Sequence, residues 1–237
     1  LLLFINSLYY INMKKKYFII AGESSGDEHG SLLMKEMLKL NSNICFDGIG
    51  GKKMDSLGLS SLYSLDKMAV MGFIEVLKNY SFFKTVEKKV IKKISKQKYD
   101  GIILIDYPGF NLRISKKIKS LSSKLPIYYY ISPQIWAWKE DRINTIKKYI
   151  DKMIVIFDFE ERWYKERGVQ ASFVGHPFVD LYKSADKTAL CSNLNLNIKN
   201  KHLTLFPGSR KQEIKNHLPI MLNALKNDFF KSFKVLL

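Results

Sequence analysis

Carboxylate side chains follow two apolar runs of the sequence, and both positions favour chemistry on hydroxyl groups. Asp106 comes directly after "GIILI" (101–105), while Glu23 and Asp27 lie in "AGESSGD" (21–27), at the end of an earlier apolar run. A partly desolvated carboxylate at a strand end can accept a proton from a hydroxyl group. Because Glu23 and Asp27 would repel a phosphate, the turn at 21–27 fits sugar hydroxyls better than a phosphate group.

The same residues also have a purely structural interpretation. Ser25 or Asp27 could be the N-cap of the helix that follows "AGESSGD", since short polar side chains accept hydrogen bonds from the first helical N–H groups. Asp106 could likewise cap a helix that is entered around Asn111. The residue types alone leave both interpretations open.

A site for phosphate groups is indicated by "PGSR" (207–210), which stands between an apolar run and a helical pattern. Gly208 permits a tight turn, Ser209 supplies a hydroxyl and Arg210 supplies a charged fork, with a helix N-terminus directly behind them. Together these groups favour a diphosphate, although an ordinary strand–helix turn could use the same residues. The stretch lacks G-x-x-x-x-G-K-[ST], so it is not a nucleotide triphosphatase loop.

Two further stretches carry residues that could bind a ligand. "ISPQIWAWKEDR" (131–142) places Trp136 and Trp138 after a Ser-Pro turn, where they could stack on a sugar or fill the gap between a helix and the sheet. Filling that gap is the commoner role of such residues. His176 in "FVGHP" (173–177) could hold a phosphate or hydroxyl group, or could be structural.

Strand and helix patterns alternate along the chain, which predicts an α/β fold with a parallel, doubly wound sheet. The strand-like runs are 17–22, 44–50, 101–106, 127–132, 152–157, 171–174 and 202–206. The helical patterns are 28–40, 73–96, 111–123, 159–167 and 211–226, with a further helix after Trp138. In such sheets the ligand crevice lies beyond the carboxyl ends of the strands, where the residues singled out above fall.

The patterns also predict how the chain is divided. Residues 1–12 form an apolar, uncharged leader before Met13, which we expect to be non-native or disordered. One complete α/β domain is predicted over 13–177, and a polar connector over 178–201. Residues 202–237 read as the first β-α-β unit of a second domain.

The composition indicates an anionic partner, because the formal net charge is +17. The basic residues are overwhelmingly lysine, with five arginines, which argues against a protein that reads DNA sequence. Compositional drift in a lysine-rich organism would explain the charge equally well. The two cysteines have no metal-like spacing and favour a reducing compartment.

An apolar stretch at 68–77, followed by an aromatic and lysine-rich segment, favours contact with an anionic lipid surface. A helix packed against the sheet would have the same pattern. The residues expected to face the membrane are Val70, Met71, Phe73, Ile74 and Leu77.

Taken in order, these stretches resemble the lipid-A-disaccharide synthase family of bacterial inverting glycosyltransferases. Any one of the motifs is weak, but the ordered set is highly specific and extends from about Tyr17 to Leu218. The matching segments are "AGESSGD", "GIGGKKMDSLG", "MAVMGFIEVL", "IDYPGFNLR", "YYISPQIWAWKEDR", "DKMIVIFDFEERWYKERGV", "FVGHP" and "PGSRKQEI".

The resemblance implies a two-domain fold of the GT-B type, in which two Rossmann-like halves face each other across a cleft. It implies transfer from UDP-2,3-diacylglucosamine to 2,3-diacylglucosamine 1-phosphate, giving a β-1′,6-linked disaccharide and UDP. It also implies no metal, no cofactor and no nucleic acid partner, and a cytoplasmic enzyme that is peripheral on the inner face of the inner membrane. Since the chain ends soon after the second domain begins, we expect weak UDP binding and little turnover from this chain alone.

Roles can be carried over by position. The family's strand-end aspartate falls on Asp106, the expected general base, and its "PGSR" arginine falls on Arg210, expected to hold the donor diphosphate with Ser209 and Gly208. The residues expected on the acceptor side are Glu23, Ser25, Asp27, Asn111 and His176. The family often has a second aspartate where this chain has Gly109, which weakens any scheme that needs two carboxylates in this loop.

Two other classes of protein remain open at this stage. One is a different two-domain sugar-nucleotide enzyme, such as an epimerase. The other is a basic protein that binds membranes or nucleic acid without catalysis, which leaves the acidic residues at the strand ends poorly explained.

Overall fold

The computed structural model describes residues 14–65, 80–182, 186–208 and 211–237. The predicted leader, the membrane-facing residues of 68–77, and Ser209 and Arg210 lie outside these ranges. The chain forms two compact units, Leu1–Asp180 and Leu181–Leu237.

The first unit is built on a fully parallel sheet of seven strands, in the order β3-β2-β1-β4-β5-β6-β7. The strands are β1 (Lys15–Ala21), β2 (Ile44–Gly50), β3 (Leu59–Ser64), β4 (Gly101–Ile105), β5 (Ile127–Tyr130), β6 (Lys152–Val155) and β7 (Ala171–Phe173). The order reverses beside β1, as in Rossmann-like folds, which confirms the predicted α/β class.

Helices follow these strands along the chain. They are α1 (Ser24–Leu40), α2 (Lys52–Asp55), α3 (Tyr80–Lys96), α4 (Pro108–Leu121), α5 (Ile143–Tyr149), α6 (Asp158–Glu166) and α7 (Pro177–Leu181), with a 3-10 turn at Glu140–Arg142. In α3 the residues Phe83, Val86, Val90 and Ile94 are buried at helical spacing, and lysines occupy the other side.

The central strands are buried on both faces because alternate side chains enter two separate cores. Phe18 and Ile20 of β1 belong to one core, and Ile19 and Ala21 belong to the other. All four are fully buried, so β1 is a continuous apolar run, as parallel strands covered on both faces are.

The second unit contains a parallel β-α-β element, as predicted. Strands β8 (Lys201–Thr204) and β9 (Phe233–Leu236) pair in parallel, and α9 (Lys211–Ala224) lies between them in the chain. A 3-10 turn at Asp228–Ser232 precedes β9. Helix α8 (Lys187–Asn193) lies within 178–201, the stretch predicted as a polar connector, and Asp186 caps it by accepting the Thr188 N–H.

Strand β3 has no counterpart in the sequence prediction. Its segment "LSSLYS" has three serines and no continuous apolar run, so it gives a weak strand signal. The segment is an edge strand with one neighbour, β2, and its extended conformation is stabilised by pairing with that strand. No helix within the described ranges is long and apolar enough to cross a membrane.

Candidate active site

The predicted site residues after β1 and β4 meet at one edge of the sheet. Glu23 lies two residues after β1, and Asp106 directly follows β4, which is the neighbour of β1. The pKa of Asp106 is raised to about 6, mainly by burial and also by the negative charge of Glu23. The Tyr107 backbone N–H opposes the rise by donating to the carboxylate. The structure thus places the two carboxylates within electrostatic reach of one another.

The Asp106 loop has an uncommon backbone conformation. Asp106 and Tyr107 have φ values of 42° and 48°, in the left-handed region that non-glycine residues seldom adopt. Tyr107 is the N-cap of α4, and Pro108 is the first helical residue, so neither Asp106 nor Asn111 caps this helix. The structural interpretation of Asp106 as a helix cap is therefore wrong.

Hydrogen bonds hold the Asp106 backbone in this conformation. Asn111 is fully buried, and its Nδ2 donates to the carbonyl oxygens of Ile105 (3.1 Å) and Asp106 (2.7 Å). The Tyr129 hydroxyl donates to the same Asp106 oxygen over 2.6 Å. The Asp106 N–H donates to the Tyr130 carbonyl oxygen. Asn111 therefore contacts the loop that carries Asp106 and fixes its course.

The Tyr107 ring leaves no room for a side chain at position 22, directly after β1. A Cβ atom on Gly22 would lie 2.2 Å from the Tyr107 ring, far inside van der Waals contact. Glycine at position 22 therefore allows the β1 and β4 loops to approach each other, which brings Glu23 towards Asp106.

Asp27 has a defined structural role. It is buried, and its two carboxylate oxygens accept the backbone N–H groups of Gly51 (2.8 Å), Lys53 (3.1 Å) and Met54 (3.1 Å). These groups form the first turn of α2. Since α1 begins at Ser24 with Glu23 as N-cap, the structural interpretation of Ser25 or Asp27 as the N-cap of that helix is wrong. Ser25 is an exposed residue of the first turn of α1.

His176 lies among aromatic rings after β7. Its ring is 5.8 Å from that of Phe157 and 5.1 Å from that of Phe178, and its Nδ1 accepts the Phe178 N–H. The Phe178 ring is in turn 5.4 Å from His29 of α1. Burial lowers the pKa of His29, and the nearby His176 lowers it further.

The loop after β5 is anchored by a buried carboxylate that the sequence analysis did not single out. Glu160 of α6 is 1% exposed and accepts hydrogen bonds from the Ser132 hydroxyl, the Trp136 indole N–H (3.2 Å) and the Phe157 N–H (3.2 Å). Trp136 is half-buried against Phe159, whereas Trp138 is 57% exposed. The two tryptophans therefore differ, and only Trp136 fills the gap.

The remaining predicted groups are placed in part. Gly208 has φ 120° and lies in the described part of the second unit, while its partners Ser209 and Arg210 do not. Across the described ranges, no cluster of three or more His, Cys, Asp or Glu side chains is arranged to hold a metal ion.

These features define the first unit as a Rossmann-like α/β domain with paired carboxylates at the carboxyl edge of its sheet. The model of the lipid-A-disaccharide synthetase family matches residues 17–236, and the chain belongs to this family. A lipid-A-disaccharide synthase of Coxiella burnetii (strain CbuK_Q154) is 41% identical over 213 residues, which are 90% of this chain and 56% of that protein.

Two further relatives have the same relation to the chain. Lipid-A-disaccharide synthase 1 of Legionella pneumophila (strain Paris) is 44% identical over 209 residues, covering 88% of this chain and 54% of the relative. The Trichlorobacter lovleyi lipid-A-disaccharide synthase is 40% identical over 217 residues, which are 91% of this chain and 56% of that protein. The chain thus spans a little over half the length of the curated relatives it matches.

The fold is also similar to a solved structure, that of a glycosyltransferase from Rickettsia africae ESF-5. The TM-score is 0.54 at 11% sequence identity, covering 95% of this chain and 68% of the other. At this identity the likeness concerns the fold alone.

Proposed function

We propose that this chain carries the acceptor side of a glycosyltransferase that joins UDP-2,3-diacylglucosamine to 2,3-diacylglucosamine 1-phosphate. The family membership supports this, and the observation that carries it is the Asp106 carboxyl group. Its pKa is raised to about 6, which suits a base that must accept a proton near neutral pH.

In the proposed reaction Asp106 accepts the proton of the acceptor 6-hydroxyl group. The hydroxyl oxygen forms a bond to the anomeric carbon of the donor sugar, while the bond from that carbon to the diphosphate oxygen breaks. UDP leaves with the bonding electron pair, and the configuration at the anomeric carbon is inverted. Asn111 and Tyr129 keep the base in place through their hydrogen bonds to its backbone carbonyl.

The donor diphosphate is assigned to Gly208, Ser209 and Arg210 at the start of α9. Backbone N–H groups at a helix N-terminus and an arginine fork stabilise the charge that develops on the leaving UDP. Of these residues, Gly208 has the left-handed backbone that a close turn around a diphosphate requires.

On the acceptor side, Glu23 is assigned to the sugar hydroxyls, because it lies within electrostatic reach of Asp106. Asp27 is assigned to positioning, since backbone N–H groups occupy both of its oxygens. Ser25 and His176 are also assigned to binding of the acceptor, and this assignment rests on the resemblance to the family.

The partner surface is proposed to be the anionic inner face of the inner membrane. The net charge of +17 and the lysine-covered outer side of α3 favour attraction to such a surface. Both substrates are acylated, so the residues of 68–77 are assigned to contact the lipid. Flotation with anionic and neutral vesicles over a salt series tests this, with retention on DNA as the competing outcome.

Sugar transfer from radiolabelled UDP-2,3-diacylglucosamine tests the reaction. It is measured for this chain alone and for a fusion of this chain with the C-terminal part of the Coxiella relative, called the continued protein. We expect the continued protein to be active and the chain alone to be weak. Asp106→Asn should lower kcat by about 10²–10⁴-fold, whereas the exposed Asp158→Asn should change it by less than about twofold.

Two outcomes would count against the proposal. Equal or better use of non-acylated UDP-glucosamine would favour the alternative sugar-nucleotide enzyme. Near-normal turnover of a folded Asp106→Asn protein would remove Asp106 from the role of base.

A further inference from the structure

The loop after β5 carries an exposed aromatic ring with two cations above it. Trp138 is 57% exposed, the Lys139 Nζ lies 4.4 Å from its ring centroid, and the Arg142 guanidinium carbon lies 5.7 Å from it. An exposed indole ring offers a ligand a large, mostly apolar face and a polar edge.

Arg142 differs from the other arginine that stacks on a tryptophan nearby. Arg167 lies 3.9 Å from the Trp163 ring centroid and also forms an ion pair with Glu140, with Nη2 to Oε1 at 2.9 Å. Arg142 has no such carboxylate within ion-pair distance in the part of the chain that the structure describes. Its guanidinium therefore offers its hydrogen-bond donors to an anion from outside.

Arg142 also acts electrostatically on Tyr129, a residue that contacts the Asp106 loop. Burial raises the pKa of the Tyr129 hydroxyl, and the positive charge of Arg142 opposes that rise. The same hydroxyl is 2.6 Å from the Asp106 carbonyl oxygen. The cation thus acts on a group that contacts the backbone of the proposed base.

The backbone on either side of Trp138 is held in place. Ile131 and Lys139 have φ values of 61° and 59°, both left-handed, and strained residues of this kind cluster at ligand sites. Between them, Ser132 and Trp136 are fixed by hydrogen bonds to the buried Glu160. Hydrogen bonds to Glu160 therefore give this loop a defined conformation.

We infer that Arg142 and Trp138 form a binding subsite for a sugar phosphate, with the phosphate on Arg142 and the sugar ring on Trp138. The inference rests on the proposed function and names the part of the site that takes the phosphorylated acceptor. A phosphate could reach this subsite on a sugar monophosphate or on a nucleotide diphosphate. The subsite is assigned to the monophosphate, since Gly208 to Arg210 are assigned to the diphosphate.

Binding of small soluble probes tests the subsite without any turnover. Glucosamine 1-phosphate, glucosamine and UDP are titrated separately into the full chain at constant ionic strength. Binding is followed by ³¹P chemical shift for the phosphorylated probes and by tryptophan fluorescence for all three. We expect saturable binding of glucosamine 1-phosphate in about the millimolar range, and much weaker binding of glucosamine.

Arg142→Gln should weaken binding of glucosamine 1-phosphate by about tenfold or more and leave UDP binding unchanged, whereas Arg142→Lys should lose less. Trp138→Ala should weaken the same probe about three- to tenfold and remove most of the fluorescence change. Arg162→Gln is the matched control, because it removes the same charge from an exposed position of α6. This variant should bind glucosamine 1-phosphate as tightly as the unchanged protein does. Circular dichroism confirms that each variant is folded.

The subsite is refuted if Arg142→Gln and Arg162→Gln bind glucosamine 1-phosphate equally, or if glucosamine binds as tightly. Absence of binding to the unchanged chain at concentrations up to about 10 mM would also overturn it. If Arg142→Gln weakened the binding of UDP and not that of glucosamine 1-phosphate, Arg142 would be assigned to the donor diphosphate instead. Probe binding that depends on Arg142, together with no sugar transfer by the chain continued with the C-terminal part of the Coxiella relative, would contradict the proposed reaction and leave the subsite standing.

Discussion

The Tyr129 hydroxyl donates a hydrogen bond of 2.6 Å to the carbonyl oxygen of Asp106. The Tyr129 ring is fully buried in β5, next to β4, so a rigid side chain of one strand holds the loop that follows its neighbour. The position of the proposed base thus depends on a residue that never contacts a substrate in the proposed reaction.

Replacing Tyr129 by Phe should loosen the Asp106 loop without emptying the core. We expect the free energy of unfolding to fall by about 1–2 kcal/mol, because a buried carbonyl oxygen loses one of its donors. Chemical denaturation measures the change. Tyr128→Phe is the control, because Tyr128 lies beside Tyr129 in the strand but faces the other core. An equal loss in both variants would contradict the role of the hydrogen bond.

Asp106→Asn should make the protein more stable at pH 8. The folded-state pKa is raised to about 6, so folded Asp106 holds its proton more tightly than unfolded Asp106 does, and the free energy of unfolding falls as the pH rises from about 4 to about 6. Asparagine does not ionise and escapes this loss. We expect a gain of about 1–3 kcal/mol at pH 8 that disappears below about pH 4.

Denaturation of Asp106→Asn and of the unchanged protein at several pH values measures this difference. Asp158→Asn should show no such gain, since Asp158 is exposed. A loss of stability at pH 8 in Asp106→Asn would mean that ionised Asp106 is favourable to the fold.

Glu87 should show the opposite dependence on pH. Burial alone would raise the pKa of this carboxyl group of α3, but hydrogen bonds from Lys117 and Arg113 of α4 outweigh burial, and the pKa is lowered. Its contribution to stability is therefore present above the unfolded pKa, about 4.3, and is lost as the pH falls through the lower folded value.

Glu87→Gln should therefore lower the free energy of unfolding by about 1–3 kcal/mol at pH 7, and the deficit should shrink below about pH 4. Denaturation at the two pH values measures it. Glu36→Gln, which removes an exposed pair with Lys39, should cost less than about 0.5 kcal/mol. A deficit for Glu87→Gln that does not change with pH would refute the assignment.

Asp27→Ala should act on folding rather than on substrate binding. Removing the carboxylate leaves the Gly51, Lys53 and Met54 N–H groups without their acceptor, at a cost of about 1–2 kcal/mol. Thermal unfolding measures the loss. In the continued protein, KM should be unchanged at a temperature where the variant is folded, whereas a large rise in KM would support contact with the acceptor.

Local sequence was sufficient to predict most of the sheet. Apolar runs predicted β1 and β4, because parallel strands covered on both faces need such runs, and β2 was predicted from a mostly apolar stretch that ends in glycine. Strand β3 lacks that signal, since its place depends on pairing with β2. The helix α1 begins four residues earlier than its apolar pattern, since Ser24–Asp27 form its first turn on the carboxyl side of β1.

The candidate site could be predicted in part. Asp106, Glu23 and Asn111 stood out because they follow apolar runs, and the structure brings them to one edge of the sheet. Tyr129 and Glu160 did not stand out, because their roles depend on partners 23 and 28 residues away in the chain. Three successive tyrosines in β5 were the available signal for Tyr129, since a buried hydroxyl group must find a partner.

Among the described residues of the first unit, four non-glycine residues have left-handed backbones, and they follow β4 or β5: Asp106, Tyr107, Ile131 and Lys139. At about 1–3 kcal/mol each, their combined cost is comparable to the net stability of a whole domain. Selection for heat resistance alone would therefore tend to replace these residues with glycine. Ancestral or consensus variants that keep them would indicate that a demand other than thermal stability, such as the proposed catalytic role, has governed these loops during evolution.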